Sequence, residues 1–268
     1  AQLWSGMDGL RGVDVSNVIA IPPPLVQSRF IRRRRFAAAA AIAILTGSTG
    51  WMANRNHLFA DERTTVAENR SVTLPDGSRV ELAASSALSL DFTQTERKVV
   101  LHAGEAFFVV AKDASRPFRV QAVDGSITDI GTAFDIKLAG ASVDVAVTHG
   151  IVDVAIPDHP AVRLKPGRAV RYTRAGIAAP KTIDAANVGL WREGRLAFDN
   201  VPLPEVLRDL ERYRDGRIVV MDKRLDQLSV SGMFDASRTD AALDTIMRTL
   251  PVRLVRVTRF LVLVYPAA

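Results

Sequence analysis

Five arginines fall within seven residues (Arg29, Arg32, Arg33, Arg34 and Arg35), and the 18 residues that follow, Phe36 to Ala53, carry no charge. A helix needs about 17 to 25 apolar residues to cross a bilayer core, so this run is just long enough, although Thr46, Gly47, Ser48, Thr49 and Gly50 dilute it. Arginines are costly in hydrocarbon, and clusters of them beside a span stay on the cytoplasmic side. The expected topology is single-pass, with the N-terminus inside and everything after Trp51 exported; Trp51 suits an interfacial aromatic. A buried alanine-rich core helix is one alternative, but it gives no reason for four consecutive arginines at its head. A cleaved export signal is another, and Arg33-Arg34-x-Phe36 resembles a twin-arginine signal.

Charge supports a topological role for these arginines. The chain of 268 residues carries a formal charge of +6. Residues 1–53 contribute +4 of it and leave only +2 for the rest, so the basicity is not spread over a phosphate-binding surface. Arg253, Arg256 and Arg259 are spaced through strand-like sequence and read as a solvated face. There is no cysteine, hence no disulfide and no thiolate metal site. His57, His102, His149 and His159 lack metal-ligand spacing. Neither a metal nor a cofactor is expected, and aromatics at 6% are sparse for a protein that stacks bases.

Residues 1–20, with Leu3, Trp4, Met7 and Leu10 at helical spacing, read as the end of a larger cytoplasmic domain. Residues 21–35 form a Pro-rich, then Arg-rich linker, residues 36–53 the span, and residues 54–63 a tether. Residues 64–185 read as strands. Ser71–Leu74 and Arg79–Leu82 flank Pro75-Asp76-Gly77, a hairpin signal. Gly-centred turns follow, among them Asp124-Gly125 and His149-Gly150. Runs such as Val143–Val147 are apolar at every second residue. An all-β domain is expected, a sandwich or a solenoid-like stack.

Residues 188–268 change character. A strand at Leu196 and Phe198 is followed by Asp199-Asn200 and a helix with Leu203, Val206, Leu207, Leu210 and Tyr213 on one face. Strands at Arg217–Met221 and Leu228–Phe234 come next, then a helix burying Ala242, Leu243, Ile246, Met247 and Leu250, ended by Pro251. Val252–Val257 and Phe260–Val264 close the chain. The order β-α-β-β-α-β-β predicts a small α+β domain with both helices on one sheet face.

No Gly-rich phosphate loop, G-x-S-x-G elbow or H-E-x-x-H occurs, and the carboxylates read as solvated charges, so no enzyme is expected. The layout, a cytoplasmic segment, one span and two exported modules, suits a protein that relays a signal between compartments.

Several blocks resemble the FecR-type transmembrane anti-sigma regulators: Leu74-Pro-Asp-Gly-Ser-Arg-Val80, Leu101-His-Ala-Gly-Glu-Ala-Phe-Phe-Val109, Arg116-Pro-Phe-Arg-Val120, Ile130-Gly-Thr-Ala-Phe134 and Val145-Ala-Val-Thr-His-Gly-Ile-Val152. Trp191-Arg-Glu-Gly-Arg-Leu196 and Ser231-Gly-Met-Phe234 continue the likeness, in a domain similar to the short N-terminal domain of secretins and TonB-dependent receptors. The resemblance implies an inner-membrane protein with periplasmic C-terminal domains. It would relay occupancy of an outer-membrane TonB-dependent receptor to an extracytoplasmic-function sigma factor, usually for siderophore or iron-complex uptake. Its partners would be the receptor's signalling domain and the sigma factor, with no direct nucleic acid contact. A sheet edge of the α+β domain is expected to accept the receptor.

The family carries a complete helical sigma-binding domain ahead of the span. Here only Ala1 to Leu10 looks like its last helix, so the chain as given is expected to bind a sigma factor poorly. The resemblance also implies a candidate self-cleavage between Gly131 and Thr132 by an N-to-O acyl shift; the alternative is that Gly131 serves a bulge and Thr132 a strand edge. A structural envelope component built on a secretin-like module is the alternative function.

Overall fold

The computed structural model describes residues 60–129 and 131–267, and these belong to one compact unit. Arg32 to Arg35, the apolar run and Trp51 lie outside the described residues. Among the described residues no helix is long and apolar enough to cross a membrane.

Residues 62–182 form a two-sheet sandwich, not a solenoid-like stack. The first sheet has the order β1 (Glu62–Arg63), β4 (Ala87–Phe92), β5 (Arg97–Ala103), β7 (Phe118–Ala122), β8 (Gly125–Asp129), β11 (Val152–Ala155) and β12 (Val162–Leu164). The second has the order β14 (Gly176–Ile177), β13 (Arg168–Thr173), β10 (Ser142–His149), β9 (Ala133–Ala139), β6 (Glu105–Val109), β3 (Arg79–Leu82) and β2 (Arg70–Thr73), with β15 (Lys181–Thr182) also pairing β13. Only β5 and β7 run parallel in the sandwich. The end of the expected tether is therefore part of the fold: Glu62–Arg63 pair with Leu88 and Ala87.

Alternation builds the core. Val143, Val145 and Val147 of β10 are fully buried, while Asp144 and Ala146 between them are half-buried. Burying each such side chain is worth about 1.5–3 kcal/mol. Phe108 stacks on Phe134 at 5.1 Å within the second sheet, and Phe118 meets Phe108 edge-on from the first at 6.1 Å. Turn chemistry does not always follow the glycine. At Asp124-Gly125 the positive φ falls on Val123 (53°), and Gly125 instead leaves room for Tyr172, whose ring would lie within 2.4 Å of a Cβ there.

A fully buried charge crosses this apolar interior. Arg97 is 0% exposed. Its Nη1 donates to Asp76 Oδ2 (2.7 Å) and to the Ala111 carbonyl (2.9 Å), and its Nε donates to the Arg116 carbonyl (2.8 Å). Asp76, read in the sequence as a turn residue, also accepts from the Ser78 hydroxyl and N–H. The arginine thus ties the β2–β3 turn to the loop at residues 111–116.

The C-terminal module runs β16 (Arg195–Pro202), α1 (Leu203–Arg212), β17 (Arg217–Val220), β18 (Ser229–Asp235), α2 (Thr239–Thr249), β19 (Val252–Thr258) and β20 (Leu261–Pro266). The strands of this module form two sheets, where one was expected. The strands split into a β16–β18 pair and a β17–β20–β19 sheet, and both helices lie between them in one hydrophobic cluster. β16 is bent by a register shift between Phe198 and Val201, with Asn200 at φ 51°. Asp199 and Asn200 belong to that strand and do not cap α1; Pro202 stands at its N-cap. Met247, expected in the core, is 37% exposed.

Burial pushes the Asp76 carboxyl up, but hydrogen bonds from the Ser78 hydroxyl, Arg97 and the Ser78 N–H outweigh it and hold it below the ordinary carboxylate range. A depressed carboxylate contributes stability that is present above its unfolded value, about 3.9, and lost as pH falls through the folded one. Asp76→Ala strands a buried guanidinium, which costs about 3–5 kcal/mol. Urea titrations should show that loss at pH 7 and should show it shrinking below pH 4; a variant within 1 kcal/mol of the parent would refute the role given to this pair.

Candidate functional site

The two residues expected to react lie at the entry to β9. Gly131 has φ +100°, a left-handed conformation open to glycine, and a Cβ there would come within 2.5 Å of Lys112 Cγ. Asp129, the last residue of β8 and fully buried, folds its carboxylate back over the next residues. Its Oδ2 accepts from the N–H of Gly131 (2.9 Å) and of Thr132 (3.3 Å), and its Oδ1 accepts the Thr132 hydroxyl. Thr132 is 5% exposed. Its carbonyl accepts the Val110 N–H at 2.9 Å, and its methyl packs where Gly150 has no side chain. A hydroxyl, the buried carboxylate that accepts its hydrogen bond, and the Gly131–Thr132 peptide bond therefore lie within one tight turn. Sequence reasoning missed Asp129, although its spacing of three from Thr132 is a local side-chain-to-backbone turn signal.

A second cluster lies where α1 meets the outer face of the second sheet. Arg212 donates to Glu105 (3.1 Å) and to the Ala84 carbonyl (2.9 Å). Lys137 pairs with Asp209, and Arg171 bridges Asp144 (2.7 Å) and Glu205 (2.9 Å). Trp191 Nε1 donates to Asp135 Oδ1 at 3.2 Å, and Arg192 lies 3.9 Å over the Phe107 ring. The carboxylates here are not the solvated charges expected: Asp135 is 6% exposed, and burial, then the nearby charge of Glu105, raise its carboxyl well above the ordinary range. Burial alone would favour a neutral Lys137, but the Asp209 and Glu105 carboxylates hold it protonated. The cleft lined by Glu105, Lys137, Trp191, Asp209 and Arg212 is about 60 Å³, room for a water or two and not for a substrate. The cluster is thus a joint between modules. Among the described residues no group of acidic or histidine side chains could hold a metal ion.

Residues 60–153 match the family described as FecR protein, and residues 195–259 match the one described as FecR, C-terminal. The chain belongs to the FecR family. As a member it is a signal transducer of the anti-sigma regulator type. Two crystal structures of a candidate anti-sigma factor from Parabacteroides distasonis ATCC 8503, at 1.65 Å and 2.50 Å resolution, are similar to it. Both are 28% identical in sequence and cover 77% of this chain, with 99% and 98% of their own lengths and TM-scores of 0.71 and 0.70. A comparison with curated proteins gave no match. The matched residues hold both sides of the joint: Glu105, Asp135 and Lys137 on the FecR sheet, Asp209 and Arg212 on the C-terminal helix.

A carboxyl raised in the folded state keeps a proton that the unfolded chain releases, so stability falls as pH rises from the unfolded value towards the folded one. Asp135→Asn keeps the acceptor for Trp191 and removes the titration. Its melting temperature should exceed that of the parent by a few degrees at pH 8 and match it near pH 4. Parallel melting curves for the two proteins across that range would contradict the buried carboxyl pair.

Proposed function

We propose that this FecR-family protein is a single-pass inner-membrane transducer, anchored by residues 36–53, whose periplasmic unit binds the signalling domain of an outer-membrane TonB-dependent receptor. Receptor occupancy then reaches an extracytoplasmic-function sigma factor through the cytoplasmic segment, and the controlled genes serve iron or siderophore uptake. The observation that carries this reading is the fusion of a FecR sandwich and a C-terminal FecR module into one unit behind an arginine-flanked apolar run. The charged joint supports it: a ligand bound on the α+β module is held rigidly against the sandwich that leads back to the membrane.

The full chain in detergent, titrated with the signalling domain of the receptor encoded beside its gene, should bind selectively over an unrelated receptor's domain. Deleting the gene should alter transcription dependent on the partner sigma factor. An envelope defect without any such change would favour a structural component instead.

The geometry around Thr132 supports a second property, self-cleavage. Thr132 Oγ1 attacks the Gly131 carbonyl carbon while its proton passes to Asp129. The C–N bond then breaks as the Thr132 nitrogen takes up a proton, leaving an ester. Water hydrolyses the ester to a Gly131 carboxylate and a free Thr132 amine and hydroxyl. Purified protein should appear as two fragments divided between Gly131 and Thr132. Thr132→Ala should remain whole, and Asp129→Asn, which keeps an acceptor for the backbone but takes no proton, should cleave at least ten-fold more slowly. Fragments from the Thr132→Ala chain would exclude this chemistry.

A further inference from the structure

Both faces of the β17–β20–β19 sheet carry apolar rows, the outer one with Arg217 and Arg253 on its two outer strands. Ile218, Val252, Val262 and Val264 point inward and are buried against the helices. The residues between them point outward. Pairing sets Val219, Leu263 and Val255 in one row across the three strands, and Leu261 and Tyr265 extend that row along β20. Val219 is 38% exposed, with Met221 (47%), Val257 (53%) and Phe260 (46%) at the margins. A sheet with one solvated face alternates apolar and polar residues; β20 is apolar at every position from Leu261 to Tyr265, the pattern of a strand covered on both sides. On the outer side Val255, Leu261, Leu263 and Tyr265 are half-buried, and Val219 is the most exposed of the row.

Charge says what fits that side. Residues 245–268, which supply β19 and β20, contain no acidic residue; the carboxylates near this sheet are Glu211, paired with Arg217 of β17, and Asp215 and Asp240, which line a cleft with Arg259. Arg253 lies over the Tyr265 ring at 5.2 Å and Arg259 over Phe260 at 4.4 Å, and neither forms an ion pair among the described residues. A second copy docking by the same face would set these arginines against each other. Lipid is disfavoured because the face is a flat sheet without Trp or Lys, unlike interfacial helices. A protein surface with an apolar centre and flanking carboxylates satisfies both features. The other candidate, a groove of about 300 Å³ between β18 and α2 lined by Met233, Phe234, Ile246 and Leu250, has no charged residue in its lining to select a partner.

We infer that the outer face of the β17–β20–β19 sheet, with Arg253 and Arg259 at its rim, is where an acidic, apolar-centred surface of the receptor signalling domain docks. The inference rests on the receptor reading above and assigns its contact to a sheet face instead of the sheet edge expected from the sequence.

The test titrates the full chain in detergent with the signalling domain of the receptor encoded beside its gene. Val219→Glu and the double variant Arg253→Glu/Arg259→Glu alter only exposed side chains, and matched melting curves would confirm that they fold. Each should weaken binding at least ten-fold. Met233→Asp, in the β18 groove, should bind as the parent does, and the parent's affinity should fall with added salt. Parent-like binding by both face variants overturns the inference and leaves the receptor reading standing, whereas a parent that does not bind overturns both.

Discussion

The charges enclosed between the second sheet and α1 tie the sandwich and the C-terminal module into one unit. Desolvating Lys137, Asp209, Glu105 and Arg212 is expensive, and it is recovered only while each stays against its partner. Sliding or rotating the modules would break several pairs at once. Hydrophobic contacts tolerate small displacement; hydrogen-bonded charges in a largely buried seam do not. The joint therefore fixes register as much as it adds stability. Asp135 marks its centre, a carboxyl so enclosed that sharing a proton with its surroundings is easier than ionising beside Glu105.

The sandwich has its own internal tie. Arg97 replaces what would be an ordinary apolar position in β5 and gathers three backbone carbonyls and Asp76 around one guanidinium. A planar cation with five donors suits that task, because the carbonyls of an irregular loop cannot pair with one another. Loops buried beside a core need such a partner for their polar groups. Asp76 consequently has two duties, shaping a hairpin turn and neutralising an interior charge.

Local features were legible in the sequence and distant ones were not. Pro75-Asp76-Gly77 announced its hairpin because turn geometry is written in neighbouring residues, and Gly77 does take φ 83°. The alternation of Val143, Val145 and Val147, and the spacing of Leu203, Val206, Leu207 and Leu210, declared buried faces for the same reason. The division of the C-terminal strands into two sheets was invisible, since it depends on the bend in β16 and on which strand β20 chooses. Likewise Asp135 faces Trp191 across 56 positions and Lys137 meets Asp209 across 72; no window along the chain contains either pair. Asp129 is the instructive miss, being only three residues from Thr132. It went unread because a buried aspartate at a strand end looks like any turn residue until its depth is known.

The path of the chain around Gly131 has a mechanical corollary. Strands before it (β1, β4, β5, β7 and β8) share the first sheet with β11 and β12, which follow it, and β2, β3 and β6 share the second with β9, β10 and β13 to β15. Each sheet is thus woven from both sides of that point. The segments are joined by the β8–β11 ladder in one layer and the β6–β9 ladder in the other. Tension applied from the N-terminal side would load those two ladders and the packing between the layers, whether or not the backbone at Gly131 is continuous. A break there would leave a clasp: closed at rest, and opened only by a pull strong enough to part the strands in both layers.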